Sequence, residues 1–166
     1  GVQACALPIF YTLSPQRPSG RFHLLVIIMT WQNLNNFELQ TCRKLLMLDV
    51  SEAAELVGNV SPRTWQYWEA GRSKVPSDVD SEMYALIAIR NELINIFMDK
   101  FKLDDIGPVR WFHVFEDFQT VFPDENKVTW RIYQSCIALL FTEGGEIELS
   151  TEVEVLPEIV AKLNEK

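Results

Sequence analysis

The chain has 166 residues, 15 Lys+Arg against 23 Asp+Glu, a formal net charge of −8, and 48% hydrophobic residues. That length suits one domain or two small ones, and the apolar share suits a packed core rather than a disordered, collagen-like or coiled-coil chain. The acidity argues against general coating of nucleic acid, which draws on basic domains. Three Cys without paired spacing argue against a disulfide scaffold and against a metal site of the zinc type.

The total conceals an uneven distribution. Residues 1–28 carry +2, through Arg17 and Arg21, and residues 29–60 carry −2. Residues 61–75 carry +2, with Arg63, Arg72 and Lys74 against Glu69 alone. Residues 76–166 carry −10. The acidity is C-terminal, and a short central segment is locally basic.

In chain order, the apolar run from Arg21 to Met29 lacks a small-residue cleavage site. It also falls far short of the roughly 20 apolar residues that span a membrane. Met29 reads as a native start, and residues 1–28 are expected to be a non-native or disordered leader. Were they a genuine arm, Arg17 and Arg21 would be placed to touch a partner. The pattern predicts a first amphipathic helix from Asn36 to Leu48, capped by Asn35 or Asn36. Asp49 followed by Glu52 is a capping-box pattern. It opens a short helix through Ala53, Ala54, Leu56 and Val57, ended at Gly58 by a left-handed residue. Ser61-Pro62 opens the next helix, with Ser as N-cap and Pro in the first helical position, and Gly71 ends it. Pro76-Ser77 begins a fourth helix that runs to about Lys102, with Ser77 and Asp80 as a weak cap. Its apolar residues cover more than one face, so it needs two partners, one of them a candidate second subunit.

Asp104 to Pro108 reads as a linker. Arg110 to Phe115 reads as an aromatic strand, Glu116 to Phe122 as a short helix, and Thr129 to Phe141 as a helix ended by Gly144-Gly145. Ile147, Leu149, Thr151, Val153 and Val155 alternate with polar residues as a strand does. A short helix is expected after Pro157. These elements define a mainly α fold: an N-terminal helix-turn-helix domain over 29–104, a small α+β C-terminal dimerisation domain over 110–144, and an acidic tail over 145–166.

Two short helices joined by a Gly-containing turn describe a helix-turn-helix. Its second helix divides cleanly. At about 100° per residue, Trp65, Trp68 and Thr64 share one side, and Arg63, Gln66, Tyr67 and Ala70 share the other. Trp buries well against neighbouring helices. Arg and Gln are the side chains that pair bidentately with guanine and adenine edges in a major groove, and they occupy the end of the helix that enters the groove in this motif. Arg63, Gln66 and Tyr67 are therefore the candidate base contacts. Ser61, Thr64, Arg72 and Lys74 are the candidate phosphate contacts, helped by amides at the helix start.

Ala53-Ala54, Gly58, Val60-Ser61, Trp68 to Gly71 and Pro76 resemble the helix-turn-helix of the Xre/Cro/CI class, with Asn59 as an extra residue in the turn. A closer resemblance is to the anti-CRISPR-associated repressors and their YdiL-like relatives. It is carried by Glu38-Leu-Gln40, Arg43 to Glu55, Trp65 to Glu69, Gly71 to Ser73, Trp130-Arg131, Gln134-Ser135 and Thr142 to Gly144. It runs from Phe37 to Gly144 and stops before the acidic tail. The resemblance implies a small cytoplasmic homodimer that binds double-stranded DNA at inverted repeats, including those of its own promoter. It also implies an N-terminal part on DNA and a C-terminal part in the dimer, with Arg63 at the position of the recognition-helix arginine. A candidate dimer interface is Trp111, Phe112, Phe115, Trp130 and Tyr133.

No nucleophile–base set, metal set or phosphate loop stands out, so no enzyme and no cofactor are expected. His113 reads as structural. Cys42 lies beside Arg43 and Lys44, which favour a thiolate, although an inert thiol is the plainer reading, and Cys136 reads as core. Two rivals share the basic face: an antitoxin that autoregulates and neutralises a basic toxin with its tail, and a regulator that binds a structured leader RNA. The aromatic run from Trp111 to Phe122 also suits stacking of RNA bases.

Overall fold

The computed structural model describes residues 34–103, 107–143 and 147–165. The expected leader, the first three residues of the expected linker and Gly144-Gly145 lie outside them. Among the described residues, seven helices and one pair of short strands follow in chain order: α1 Asn36–Leu45, α2 Val50–Leu56, α3 Pro62–Glu69, α4 Ser77–Leu103, β1 Val109–Arg110, α5 Phe115–Val121, α6 Lys127–Glu143, β2 Leu149–Ser150 and α7 Pro157–Asn164. The class is mainly α, as the sequence predicts.

Local chemistry sets the N-terminal helices. The Asn35 side chain accepts the Phe37 and Glu38 amides while Glu38 accepts the Asn35 amide, a complete capping box. Asp49 and Glu52 repeat the arrangement on α2. Helix α1 stops at Leu45 rather than Leu48. Met47 takes φ 58°, and the Leu48 and Met47 amides donate back to the Arg43 and Lys44 carbonyls at 3.1 Å each. This Schellman closure ends the helix although no glycine is present. After α2 the left-handed residue is Asn59, at φ 47°, and not Gly58. The extra turn residue lets the Val60 amide reach the Ala54 carbonyl at 2.8 Å. Gly58 has a different task. A Cβ there would stand 3.1 Å from Trp65 and 3.2 Å from Trp68, so a bare backbone lets the turn close onto the indoles.

Helix α4 is the spine of the fold, packed against α1, α6 and α7. Its apolar residues on more than one face therefore have partners within the chain. Asp80 does not cap it. Its buried carboxylate accepts the Leu34 amide at 2.8 Å and ties down the start of α1. Arg90 on α4 donates from its buried Nε to Ser135 Oγ on α6 at 2.8 Å. Asn126, and not Thr129, caps α6 by accepting the Val128 and Thr129 amides.

The expected strands shrink to two residues each, paired in parallel with Val109 opposite Leu149 and Arg110 opposite Ser150. Among the described residues each is the other's sole partner in a two-stranded sheet, so alternation beyond that ladder has no described strand to pair with. The tail is partly core, since Ile159 and Leu163 of α7 are buried. Hydrophobic residues from Leu34 to Leu163 form one continuous cluster. The stretches expected as DNA-binding and dimerisation domains thus share a core.

A clasp joins these stretches. Arg131 of α6 holds Glu52 of α2 bidentately, Nη2 to Oε1 and Nε to Oε2 at 2.9 Å each. Arg131 also donates to Gln134 Oε1 at 3.0 Å and lies over the Trp130 ring at 4.5 Å. Gln134 and Trp130 in turn donate to the Phe112 carbonyl. The aromatics are bound into the same body. Phe112 meets Phe118 at 5.2 Å and Tyr133 at 5.4 Å, edge to face, and Tyr133 Oη donates to the Arg110 carbonyl at 2.8 Å. Burial pushes the Tyr133 hydroxyl up, and pushes the Cys136 thiol up to about 12.

Candidate nucleic-acid interface

The site grows from helix α3 and the basic turn after it. Ser61 Oγ accepts the Thr64 amide at 3.2 Å, and Pro62 occupies the first turn, where its missing N–H costs nothing. At the far end Gly71 takes φ 68°. The Gly71 and Arg72 amides donate to the Trp68 and Tyr67 carbonyls, a second Schellman closure. The helix is therefore fixed at both ends by its own sequence.

Its inner face is held by two indoles and a carboxylate. Trp65 is fully buried, Trp68 is nearly so, and their rings meet edge to face at 5.6 Å. Glu69 turns the same way. It accepts Trp65 Nε1 at 2.7 Å and both Nε and Nη2 of buried Arg43, which also donates to the Leu48 carbonyl at 2.8 Å. Asn36 Nδ2 reaches the Glu69 carbonyl at 3.3 Å. Helix α1 thereby grips the last turn of α3.

Burial pushes the Glu69 carboxyl up, but hydrogen bonds from Arg43, Trp65 and Gln40 outweigh it and hold the group below its ordinary 4.5. The Glu52 amide and Ser51 hydroxyl lower Asp49 from 3.8 in the same sense. Depressed carboxylates add stability that is complete above their unfolded-state values and is lost as pH falls through the folded ones. Melting temperature is thus expected to decline below the ordinary carboxylate range, starting near pH 4.5 for Glu69. Glu69→Gln should flatten that decline in thermal unfolding followed by Trp fluorescence. An unchanged slope would remove Glu69 from the account.

The outer face is different in kind. Ser61, Arg63, Gln66, Arg72 and Lys74 are exposed, and Thr64 and Tyr67 are half-buried. Arg63 Nε donates to Tyr67 Oη at 2.7 Å. The Arg63 and Arg72 guanidinium carbons lie 5.4 and 5.5 Å from the centre of the Tyr67 ring. Ser61 and Thr64 hydroxyls are 3.0 Å apart and bond each other. Among the described residues no carboxylate pairs with Arg63, Arg72 or Lys74. Since Glu69 is turned inward onto Arg43, this surface is more positive than the segment's net +2 implies.

The seven proposed contacts lie along α3, from its N-cap Ser61 to the segment after Gly71; contacts join Ser61 to Thr64, and Arg63 and Arg72 to Tyr67. The structure distributes the five aromatics expected between subunits differently. Phe112, Trp130 and Tyr133 are buried within the chain, while Trp111 and Phe115 are half-buried. Cys42 follows the plainer reading of an inert thiol: burial, then Glu38 and Asp80, push it up. His113 is exposed. Among the described residues no group of His, Cys, Asp and Glu is placed to hold a metal, and no helix is long and apolar enough to cross a membrane. Sequence reasoning passed over two groups, the Arg43–Glu69 pair and the Glu52–Arg131 clasp. The first left a signal, because Glu69 follows Trp65 by four residues and so shares its face.

Two short helices, a tight turn, and a second helix with a buried indole face and an exposed Arg-Gln-Tyr face define a helix-turn-helix protein. The model of the Aca2/YdiL-like family matches residues 34–149. The chain is 49% identical over 112 residues to the Aca2 repressor of Pectobacterium phage ZF40, covering 67% of this chain and 96% of that one. It is 30% identical over 116 residues to the uncharacterized protein YdiL of Escherichia coli K12, covering 68% and 98%. The chain belongs to the Aca2/YdiL-like family.

Proposed function

We propose that the protein is a transcriptional repressor that binds double-stranded DNA sequence-specifically, as a homodimer on inverted repeats, and represses its own operon. The observation that carries this reading is the outer face of α3, where exposed Arg63 and Gln66 flank half-buried Tyr67 and, among the described residues, no carboxylate pairs with Arg63, Arg72 or Lys74. Arg63 and Gln66 approach base edges in the major groove. Arg72, Lys74 and the amides behind Ser61 hold phosphates. The relative described as a repressor supports the direction of regulation.

The reading assigns residues 29–104 to DNA and residues 110–144 to subunit pairing. Trp111 and Phe115, which keep exposed surface, are the aromatics available to a second subunit. A twofold dimer would place its recognition helices one helical turn of DNA apart, roughly 34 Å. Bound there, it would repress by excluding polymerase, with no ligand required.

Few phosphate contacts and a net charge of −8 leave little general affinity for DNA. The full chain is therefore expected to select one motif from a randomised duplex pool. Its binding to that motif should weaken with salt by a logarithmic slope well short of ten. Selection of no motif would end the proposal, and a slope of ten or more would end the claim of sparse phosphate contacts.

A further inference from the structure

We infer that Tyr67 acts through Arg63, as a positioning residue that presents the two terminal nitrogens of the guanidinium to a guanine in each half-site; this rests on the DNA-reading role proposed above. Residues 63 and 67 stand one turn apart on α3 and are neighbours on its surface. The Tyr67 hydroxyl receives Arg63 Nε at 2.7 Å. The guanidinium carbon sits 5.4 Å from the ring centre, within the range of a cation–π contact. Three further observations give this pair a task.

The first is what the bond leaves over. Nε is occupied, while Nη1 and Nη2 have no protein partner among the described residues. Guanine offers O6 and N7 as adjacent acceptors, whereas adenine offers an acceptor beside a donor. A guanidinium held by Nε, with its outer nitrogens available, matches the first pattern and not the second.

The second is the chemistry of the holder. A carboxylate in place of Tyr67 would restrain the arginine equally well, but would pair with it and cancel its charge. A neutral phenol orders the side chain and leaves the charge to the DNA. An arginine already ordered loses less rotamer freedom on binding.

The third is Arg72. Its guanidinium carbon lies 5.5 Å from the centre of the same ring, and Gly71 at φ 68° brings the chain back to make that contact possible. One ring therefore organises two cations, one for a base and one for the backbone.

The test uses the full chain and a duplex selected from a randomised pool. Affinities would be measured for the wild type, Tyr67→Phe, Arg63→Ala and the double variant, on that duplex and on copies with each guanine replaced in turn by 7-deazaguanine. Tyr67→Phe keeps the ring and removes only the hydroxyl. It is expected to weaken binding roughly ten-fold. That loss should disappear in the Arg63→Ala background, and also on the copy that lacks N7 at the contacted guanine. An equal loss in both backgrounds would mean that Tyr67 contacts DNA itself, and would overturn the inference. So would wild-type affinity in Tyr67→Phe. Failure of the wild type to select any motif would instead remove the DNA reading, and this inference with it.

Discussion

Arg63→Ala is expected to abolish specific recognition of the operator while leaving the chain folded. The side chain is exposed, and its contacts are with Tyr67, one turn along the same helix. It supports no core residue, so the melting temperature should hardly move. A bidentate pair between arginine and guanine discriminates by ~1–3 kcal/mol. The twofold complex proposed above would lose that pair twice, about 2–6 kcal/mol, which is a fall of roughly thirty-fold to twenty-thousand-fold. Fluorescence anisotropy with the selected duplex, beside a scrambled duplex, separates the cases. The scrambled duplex should bind both proteins alike, because phosphate contacts carry no sequence information. Lys74→Ala provides the contrast: it should weaken both duplexes together and lower the salt slope. Equal affinity of Arg63→Ala and wild type for the selected motif would take Arg63 out of base recognition.

The second large effect concerns the fold beneath that surface. Arg43→Ala should destabilise the protein by ~3–5 kcal/mol, the usual cost of stripping one partner from a buried ion pair. Small domains hold only about 5–15 kcal/mol in total. The side chains of Arg43 and Glu69 are 10% and 8% exposed. Loss of the guanidinium would leave Glu69 with Trp65 and Gln40, and would orphan the Leu48 carbonyl. Urea unfolding measures the loss. Replacing both partners together, Arg43→Met with Glu69→Leu, should recover most of it, since two well-packed apolar groups leave no unpaired charge. A loss under about 1 kcal/mol for Arg43→Ala would place the pair in the class of surface salt bridges. Since Glu69 anchors the last turn of α3, DNA affinity should fall with stability in Arg43→Ala and return in the double variant.

What the sequence discloses depends on how far apart the interacting residues lie. Asp49 and Glu52, Ser61 and Pro62, and Gly71 are signals read within four residues, and each marks a helix end that the structure has. The division of α3 into indole and polar faces is equally local. The turn after α2 was half legible: a left-handed residue is needed, but Asn59 supplies it because Gly58 is committed to making room for Trp65 and Trp68. Interactions across the chain left no mark. Glu52 and Arg131 are 79 positions apart, and nothing in either neighbourhood names the other. Aromatic density from Trp111 to Phe122 indicated burial without saying against what, and three of the five aromatics expected between subunits fill the chain's own interior. The alternation from Ile147 to Val155 overstated β2, because strand length is set by the partner's reach. For the site, residue types were legible, but the inward turn of Glu69 and the grip of Tyr67 on Arg63 required coordinates.

The Glu52–Arg131 clasp bears on how such a regulator is re-engineered. A helix-turn-helix is commonly treated as a cassette to be exchanged between relatives. Here α2 carries one half of a bidentate pair whose other half sits in α6, so a transplanted cassette with another residue at position 52 strands Arg131 beside Trp130. Positions 63, 66 and 67 make no contact with that clasp and can be rewritten, 63 and 67 as a coupled pair. The unit that can be moved between proteins is one face of α3, and the pair of helices stays with its host.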